Sequence, residues 1–179
     1  MKDYLLFIPP TEVLEKKPRE WSASEAKLYF NWFMSIKADR VEYMLTTIDE
    51  SLTGNSSVDI KRISNKVTEL LFKKPFSEKI DNVPVITNQG LALVADLSLL
   101  ISQLIITDYP QVTWKIVKRP LRDISYNLPA IFGFPLVGYR ELMRAAIVNA
   151  KSILNGEKDS SIWLKMYQSS VDLINGNVT

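Results

Sequence analysis

Apolar residues in this chain recur mainly at helical spacing, and they predict five helices. The first begins at Ser22, because Ser22 and Glu25 match a capping-box pattern and apolar side chains then recur every three or four residues to about Glu50. We expect this helix to bury Phe30, Phe33, Met44 and Ile48, and to bend or break at the polar residues 37–40. The later helices are predicted at about residues 60–71, 90–107, 142–154 and 163–174.

The third helix, at about residues 90–107, is apolar on nearly all sides, so it is predicted to be central and to bury Leu97 and Leu100. Polar residues interrupt its longest apolar stretch, Leu91 to Ile106, which is therefore expected to fall short of the ~20 residues that cross a bilayer.

Two segments have the alternation or the composition of strands. Residues 112–117 alternate and are rich in β-branched side chains, and they are predicted to pair with residues 128–134. Residues 4–8 are apolar and are followed by two prolines, which favours either an edge strand or a hydrophobic clip on the core. Residues 11–20 are predicted to be a connector and residues 76–90 a loop.

The expected fold class is mainly α (α+β): one compact globular domain over residues 1–179, with about five helices and a small β-hairpin near residues 112–134.

The amino-acid composition excludes several kinds of catalytic and metal site. The chain has no histidine and no cysteine, which removes the Ser–His and Cys–His nucleophile pairs and the usual ligands of zinc, copper and iron. We therefore expect no catalytic residue, no metal and no cofactor. The net charge is +2, too balanced for a general nucleic-acid binder. The absence of cysteine and of a signal-peptide-like apolar core favours the cytoplasm and no association with membranes.

Asp96 is the one carboxylate within the apolar third helix. Gln89, Asp96 and Gln103 are seven residues apart, so they follow nearly one line on that helix. Asp96 is then either a buried base with a raised pKa or part of a thin polar seam. In the second interpretation it is solvated or pairs with an arginine such as Arg122, Arg140 or Arg144.

Basic residues are concentrated between residues 111 and 151, which hold seven basic and two acidic side chains. Five residues at the predicted hairpin are candidates for binding a partner: Trp114, Lys115, Lys118, Arg119 and Arg122. They form either a patch for an acidic protein surface or phosphate group, a groove for nucleic acid, or a solvated hairpin edge that resists aggregation.

Two stretches carry a resemblance to a known group of proteins. Residues 29–33 (Tyr-Phe-Asn-Trp-Phe) with residues 40–43 (Arg-Val-Glu-Tyr), and the apolar residues 93–97 followed by Trp114, resemble small uncharacterised bacterial proteins of the toxin-immunity type. The resemblance covers residues 25–134. It implies a cytoplasmic, stoichiometric binder that covers the site of a toxin, and it brings no catalytic motif.

Three hypotheses follow. The leading one is a non-enzymatic interaction protein, of immunity type, that binds a partner protein with an acidic surface through a surface patch. The second is an enzyme or small-ligand binder that uses Asp96 with Arg or Tyr in a helical pocket. The third is a nucleic-acid-associated module that uses the basic residues between 111 and 151.

Overall fold

The computed structural model describes residues 3–177, and within them the chain folds into six helices and two small antiparallel sheets. The helices are α1 (Thr11–Leu14), α2 (Ala23–Thr47), α3 (Ser56–Leu71), α4 (Asn88–Asp108), α5 (Leu142–Leu154) and α6 (Ser161–Ile174). The strands are β1 (Ser77–Ile80), β2 (Val83–Ile86), β3 (Thr113–Ile116), β4 (Pro129–Phe134) and β5 (Gly138–Arg140). The predicted fold class is confirmed, since 55% of the chain is helical and 12% is strand.

Helix α4 lies at the centre and packs against α2, α3, α5 and α6. Leu97 and Leu100 are fully buried, as expected. The helix has 21 residues, so the sequence-based expectation that this stretch is too short to cross a membrane was wrong. Length and composition alone would allow α4 to cross a bilayer, but 78% of its most apolar window is buried inside the fold. Such burial is typical of the core helix of a soluble protein.

Helix α2 begins as predicted. Ser22 caps it, with the Glu25 amide donating to Ser22 Oγ (3.2 Å) and the Ser22 amide donating to Glu25 Oε2 (2.7 Å). The helix continues through residues 37–40, where a bend or break was predicted, because Arg40 turns into the core and finds a partner there.

The predicted core face of α2 is mostly correct: Phe33, Met44 and Ile48 are buried. Phe30 is only half-buried and lies outside the hydrophobic core, so that expectation was wrong. Helical spacing identifies the face of a helix, but it does not show how far neighbouring elements extend along it.

The β structure is larger than predicted. Strand β3 pairs with β4, with Trp114 opposite Ile131, as the sequence pattern indicated. The three-residue strand β5 adds to β4 and was not predicted. Strands β1 and β2 form a hairpin where a loop was expected. Its turn is made by Asp81 and Asn82, both with positive φ (50° and 64°), as a two-residue hairpin turn requires.

The segment before α1, residues 3–10, is a hydrophobic clip on the core and not a strand, and it is called the clip below. Residues 3–10 have no regular structure, and Tyr4 is buried against α2 and α4. The connector at residues 11–20 contains α1 and a single 3₁₀ turn at Pro18–Glu20.

Candidate functional site

Asp96 lies on α4 and is fully buried, with hydrogen bonds to both of its carboxylate oxygens. Arg40 of α2 donates from Nε to Oδ1 (2.8 Å) and from Nη2 to Oδ2 (2.5 Å). The Tyr4 hydroxyl also donates to Oδ2 (2.7 Å). The prediction that Asp96 pairs with an arginine such as Arg122, Arg140 or Arg144 was wrong, because α2 and not the later basic stretch packs along this side of α4.

Aromatic rings enclose the Arg40 guanidinium. Its central carbon is 4.1 Å from the centre of the Phe7 ring, 5.6 Å from that of Tyr43 and 5.7 Å from that of Tyr4. These distances fall within the range of cation–π attraction. Arg40 Nη1 is buried and has no hydrogen-bond partner within residues 3–177, so the cation–π contacts are the compensation that the guanidinium has beyond its two hydrogen bonds to Asp96.

The clip is held in place by its own polar contacts. The Tyr4 amide donates to Gln89 Oε1 (2.7 Å), and Gln89 Nε2 donates to Asp3 Oδ1 (3.2 Å). The Leu5 amide donates to the Tyr43 hydroxyl (3.1 Å). The polar line seen in the sequence is therefore divided: Gln89 and Asp96 fix the clip, whereas Gln103 is exposed on another part of α4.

The electrostatics of this cluster follow from its burial. Burial raises the pKa of Asp96 to about 6, while the hydrogen bonds and charge of Arg40 and the hydrogen bond from Tyr4 act in the opposite direction. Burial also raises the pKa of the Tyr4 phenol, and the neighbouring Asp96 charge adds to this effect. Both Asp96 oxygens are engaged and Tyr4 covers them, so the geometry is that of a buried tie between the clip, α2 and α4.

The predicted basic residues surround the connection between β3 and β4. Lys115, Lys118, Arg119 and Arg122 are all exposed. Trp114 is half-buried and packs edge-on against Phe33, with ring centres 5.1 Å apart. The structure thus places Lys118, Arg119 and Arg122 on the loop between β3 and β4 and Lys115 within β3. It makes Trp114 mainly an anchor of β3 on α2.

The loop at residues 117–128, called the basic loop below, is firmly held. Asn127 is buried, and its Nδ2 donates to the carbonyl oxygens of Pro18 (2.8 Å) and Trp21 (3.1 Å). Lys118 Nζ donates to Asn127 Oδ1 (3.0 Å). Further along the loop, Asp123 accepts hydrogen bonds from the Tyr139 hydroxyl and from the Ser125 amide.

Two apolar side chains on the basic loop were missed by the sequence reasoning. Leu121 is 70% exposed and Ile124 is 58% exposed. Within residues 3–177, neither Arg119 nor Arg122, which flank Leu121, makes an ion pair or a side-chain hydrogen bond. Apolar residues between cations in a proline-containing loop were the available signal, but sequence alone does not show that the core leaves them exposed.

Comparison with known proteins finds no family model, no curated protein and no solved structure that matches this chain. Within the described part of the chain, no group of three or more acidic, histidine or cysteine side chains is placed to hold a metal ion.

Proposed function

We propose that this protein is a non-enzymatic interaction protein that binds an acidic partner protein through the basic loop. The observation that carries the proposal is the exposure of Leu121 between Arg119 and Arg122. Protein interfaces typically combine an apolar centre with arginine contacts and a polar rim, and a few such residues contribute most of the binding energy.

The way the basic loop is held supports this proposal. Asn127 ties one end to the connector before α2, and Asp123 ties the middle to Tyr139 of β5. A loop that is already ordered loses little conformational entropy when a partner binds. The exposed apolar side chains are thus presented on a preorganised support.

The finer form of the proposal is an immunity-type inhibitor that acts in the cytoplasm of a bacterium and covers the site of a toxin. It rests on the resemblance of residues 25–134. Several residues that carry the resemblance, including Arg40, Tyr43 and Trp114, are engaged in internal packing or pairing. In this proposal they build the scaffold, and the basic loop makes the contact.

The rival hypotheses gain less from the geometry. Asp96 is covered by Tyr4 and engaged by Arg40, so a substrate would first have to displace the clip. The large apolar side chains exposed on the basic loop are the aliphatic Leu121 and Ile124, whereas single-stranded nucleic acid is bound by exposed aromatic rings.

The test compares a loop variant with a charge-matched control. Arg119→Glu/Arg122→Glu reverses the charge of two side chains on the basic loop. Lys27→Glu/Lys61→Glu makes the same charge change at exposed positions of α2 and α3. The wild type and both variants are used to capture proteins from the native host. An acidic protein that the wild type captures is then purified, and its association rate constant with each of the three is measured. We expect the loop variant to lower the association rate constant at least tenfold at low salt, and the control to change it less than threefold.

A partner that binds the loop variant as fast as the wild type would contradict the proposal. Capture of only nucleic acid would also contradict it. So would an association rate constant that stays the same when the salt concentration is raised from 50 to 300 mM, because exposed charges are screened over about 8 Å at physiological ionic strength. For the finer form, the captured protein should arrest growth when expressed alone, and co-expression of the wild type but not of the loop variant should restore growth.

A further inference from the structure

A second open site lies away from the basic loop, between α2, α4 and the start of β3. It is a cleft of about 500 Å³, a volume typical of sites for small organic ligands. Its apolar walls include Met34 of α2, Leu99 of α4 and Trp114 of β3, and its lining contains no residue of the basic loop. Trp114 is fixed edge-on against Phe33, so this wall of the cleft is preformed.

The polar lining of the cleft consists of one positive charge and neutral side chains. Lys37 is the charged residue in the lining, and no Asp or Glu accompanies it. Lys37 is half-buried and makes no ion pair within residues 3–177. Gln103 and Thr107 of α4 add an amide and a hydroxyl that can donate hydrogen bonds. A half-buried cation beside neutral donors and apolar walls favours an anion with an apolar body.

We propose that this cleft binds a small amphipathic monoanion, a carboxylate on an apolar body. The carboxylate lies at Lys37 with Gln103 or Thr107 as a second donor, and the body packs against Met34, Leu99 and Trp114. This chemistry is shared by medium-chain fatty acids and by planar aromatic acids, and the experiment separates these two sources. The site is independent of the proposed partner binding, since the two use different surfaces.

The binding test uses octanoate and indole-3-acetate as probes, with the uncharged octan-1-ol and indole-3-acetamide as matched controls. Binding is followed by the ¹H–¹⁵N signals of the four tryptophan indoles, assigned with Trp→Phe variants. The indole N–H groups of Trp21 and Trp163 are hydrogen-bonded elsewhere, to the Lys16 carbonyl and to Thr68. We expect at least one anion to shift the Trp114 signal in a saturable way, with its neutral analogue binding at least tenfold more weakly. The anion that binds more tightly identifies the body as linear or planar.

Two variants test the placement of the ligand. Lys37→Met should weaken the anion at least tenfold and leave the neutral analogue unchanged, whereas Lys27→Met, at an exposed lysine of the same helix, should change neither. Thr107→Phe, at an exposed position on the rim, should weaken both by filling the cleft. Circular dichroism and the unshifted Trp163 signal show whether each variant is folded.

Three results would overturn the proposal. The first is no shift of the Trp114 signal with either anion at millimolar concentration. The second is equal binding of anion and neutral analogue, with no effect of Lys37→Met. The third is a saturable shift confined to Trp32, which lines a separate groove beneath the clip and would place the ligand there.

Discussion

Arg40 and Asp96 are 56 residues apart in the chain, yet they form a buried two-point ion pair that joins α2 to the central helix α4. Arg40 is 4% exposed and Asp96 is fully buried, so neither charge is solvated. The energetic value of such a pair depends on both members being present, since either charge left alone would remain buried without compensation.

The first prediction concerns the loss of one member of this pair. Arg40→Met should lower the free energy of unfolding by about 3–5 kcal/mol at neutral pH, because it leaves the Asp96 carboxylate without its cation. The double variant Arg40→Met/Asp96→Leu should cost less than the sum of the two single variants. Urea denaturation of the four proteins measures this, and strictly additive costs would contradict the coupling.

The second prediction concerns pH. The raised pKa of Asp96, about 6, means that the folded protein keeps a proton that the unfolded chain releases at its ordinary pKa near 4. The stabilisation from this proton is full below about pH 4 and is lost as the pH rises through 6. Asp96→Asn has no such proton. The stability of the wild type relative to Asp96→Asn should therefore decrease by up to roughly 3 kcal/mol between pH 4 and pH 7.

Isothermal urea titrations at several pH values measure that difference. The side chains that hydrogen-bond to Asp96 are an arginine and a tyrosine, residue types that do not titrate in this window, so the slope can be assigned to the carboxyl group. A difference that grows as the pH rises would show that the hydrogen bonds from Arg40 and Tyr4 outweigh burial.

The third prediction compares Tyr4, which belongs to the clip, with Tyr43, the residue of α2 whose hydroxyl binds the clip. Tyr4→Phe keeps the ring but removes the hydroxyl that donates to the buried Asp96, so it should cost about 1.5–3 kcal/mol. Tyr43→Phe removes a hydroxyl that accepts a solvent-exposed hydrogen bond from the Leu5 amide, and it should cost about 0.5–1 kcal/mol. Chemical denaturation of both variants provides the comparison. Equal losses in the free energy of unfolding would mean that the buried hydrogen bond from Tyr4 to Asp96 stabilises the fold no more than the exposed one at Tyr43.

The fourth prediction concerns the support of the basic loop. Asn127 has a positive φ of 67° and satisfies the carbonyl oxygens of Pro18 and Trp21. Asn127→Ala should cost about 3 kcal/mol, because it removes the hydrogen bond to the Trp21 carbonyl and because alanine, unlike asparagine, has no polar side chain to offset the steric cost of the left-handed region. Asn127→Gly loses the same hydrogen bonds without that strain, so it should be more stable than Asn127→Ala by about 1 kcal/mol.

Thermal or urea unfolding of the two Asn127 variants gives the free energies. Exchange of the backbone amides at residues 117–128 should become faster in both, as the loop loses its tie to the connector. If neither stability nor exchange changes, other contacts hold the basic loop.

Local patterns in the sequence determined the type and place of the long elements. The capping pair Ser22 and Glu25 fixed the start of α2, and the continuous apolar character of residues 90–107 indicated a central helix. Helical periodicity and caps are short-range properties, so they can be read from a window of residues. The turn residues Asp81 and Asn82 were an equally local signal for the β1–β2 hairpin, which was missed.

Tertiary structure alone decided which side chains meet. The sequence singled out Asp96, but its partner was chosen by the packing of α2 beside α4, and the best cationic candidates by sequence lie elsewhere. In the same way, the sequence identified the cations near β3, while only the fold showed that Leu121 is exposed between them and that Lys37 lines a cleft with Trp114. The physical reason is that burial and pairing depend on contacts between residues distant in the chain, and no local window contains both partners.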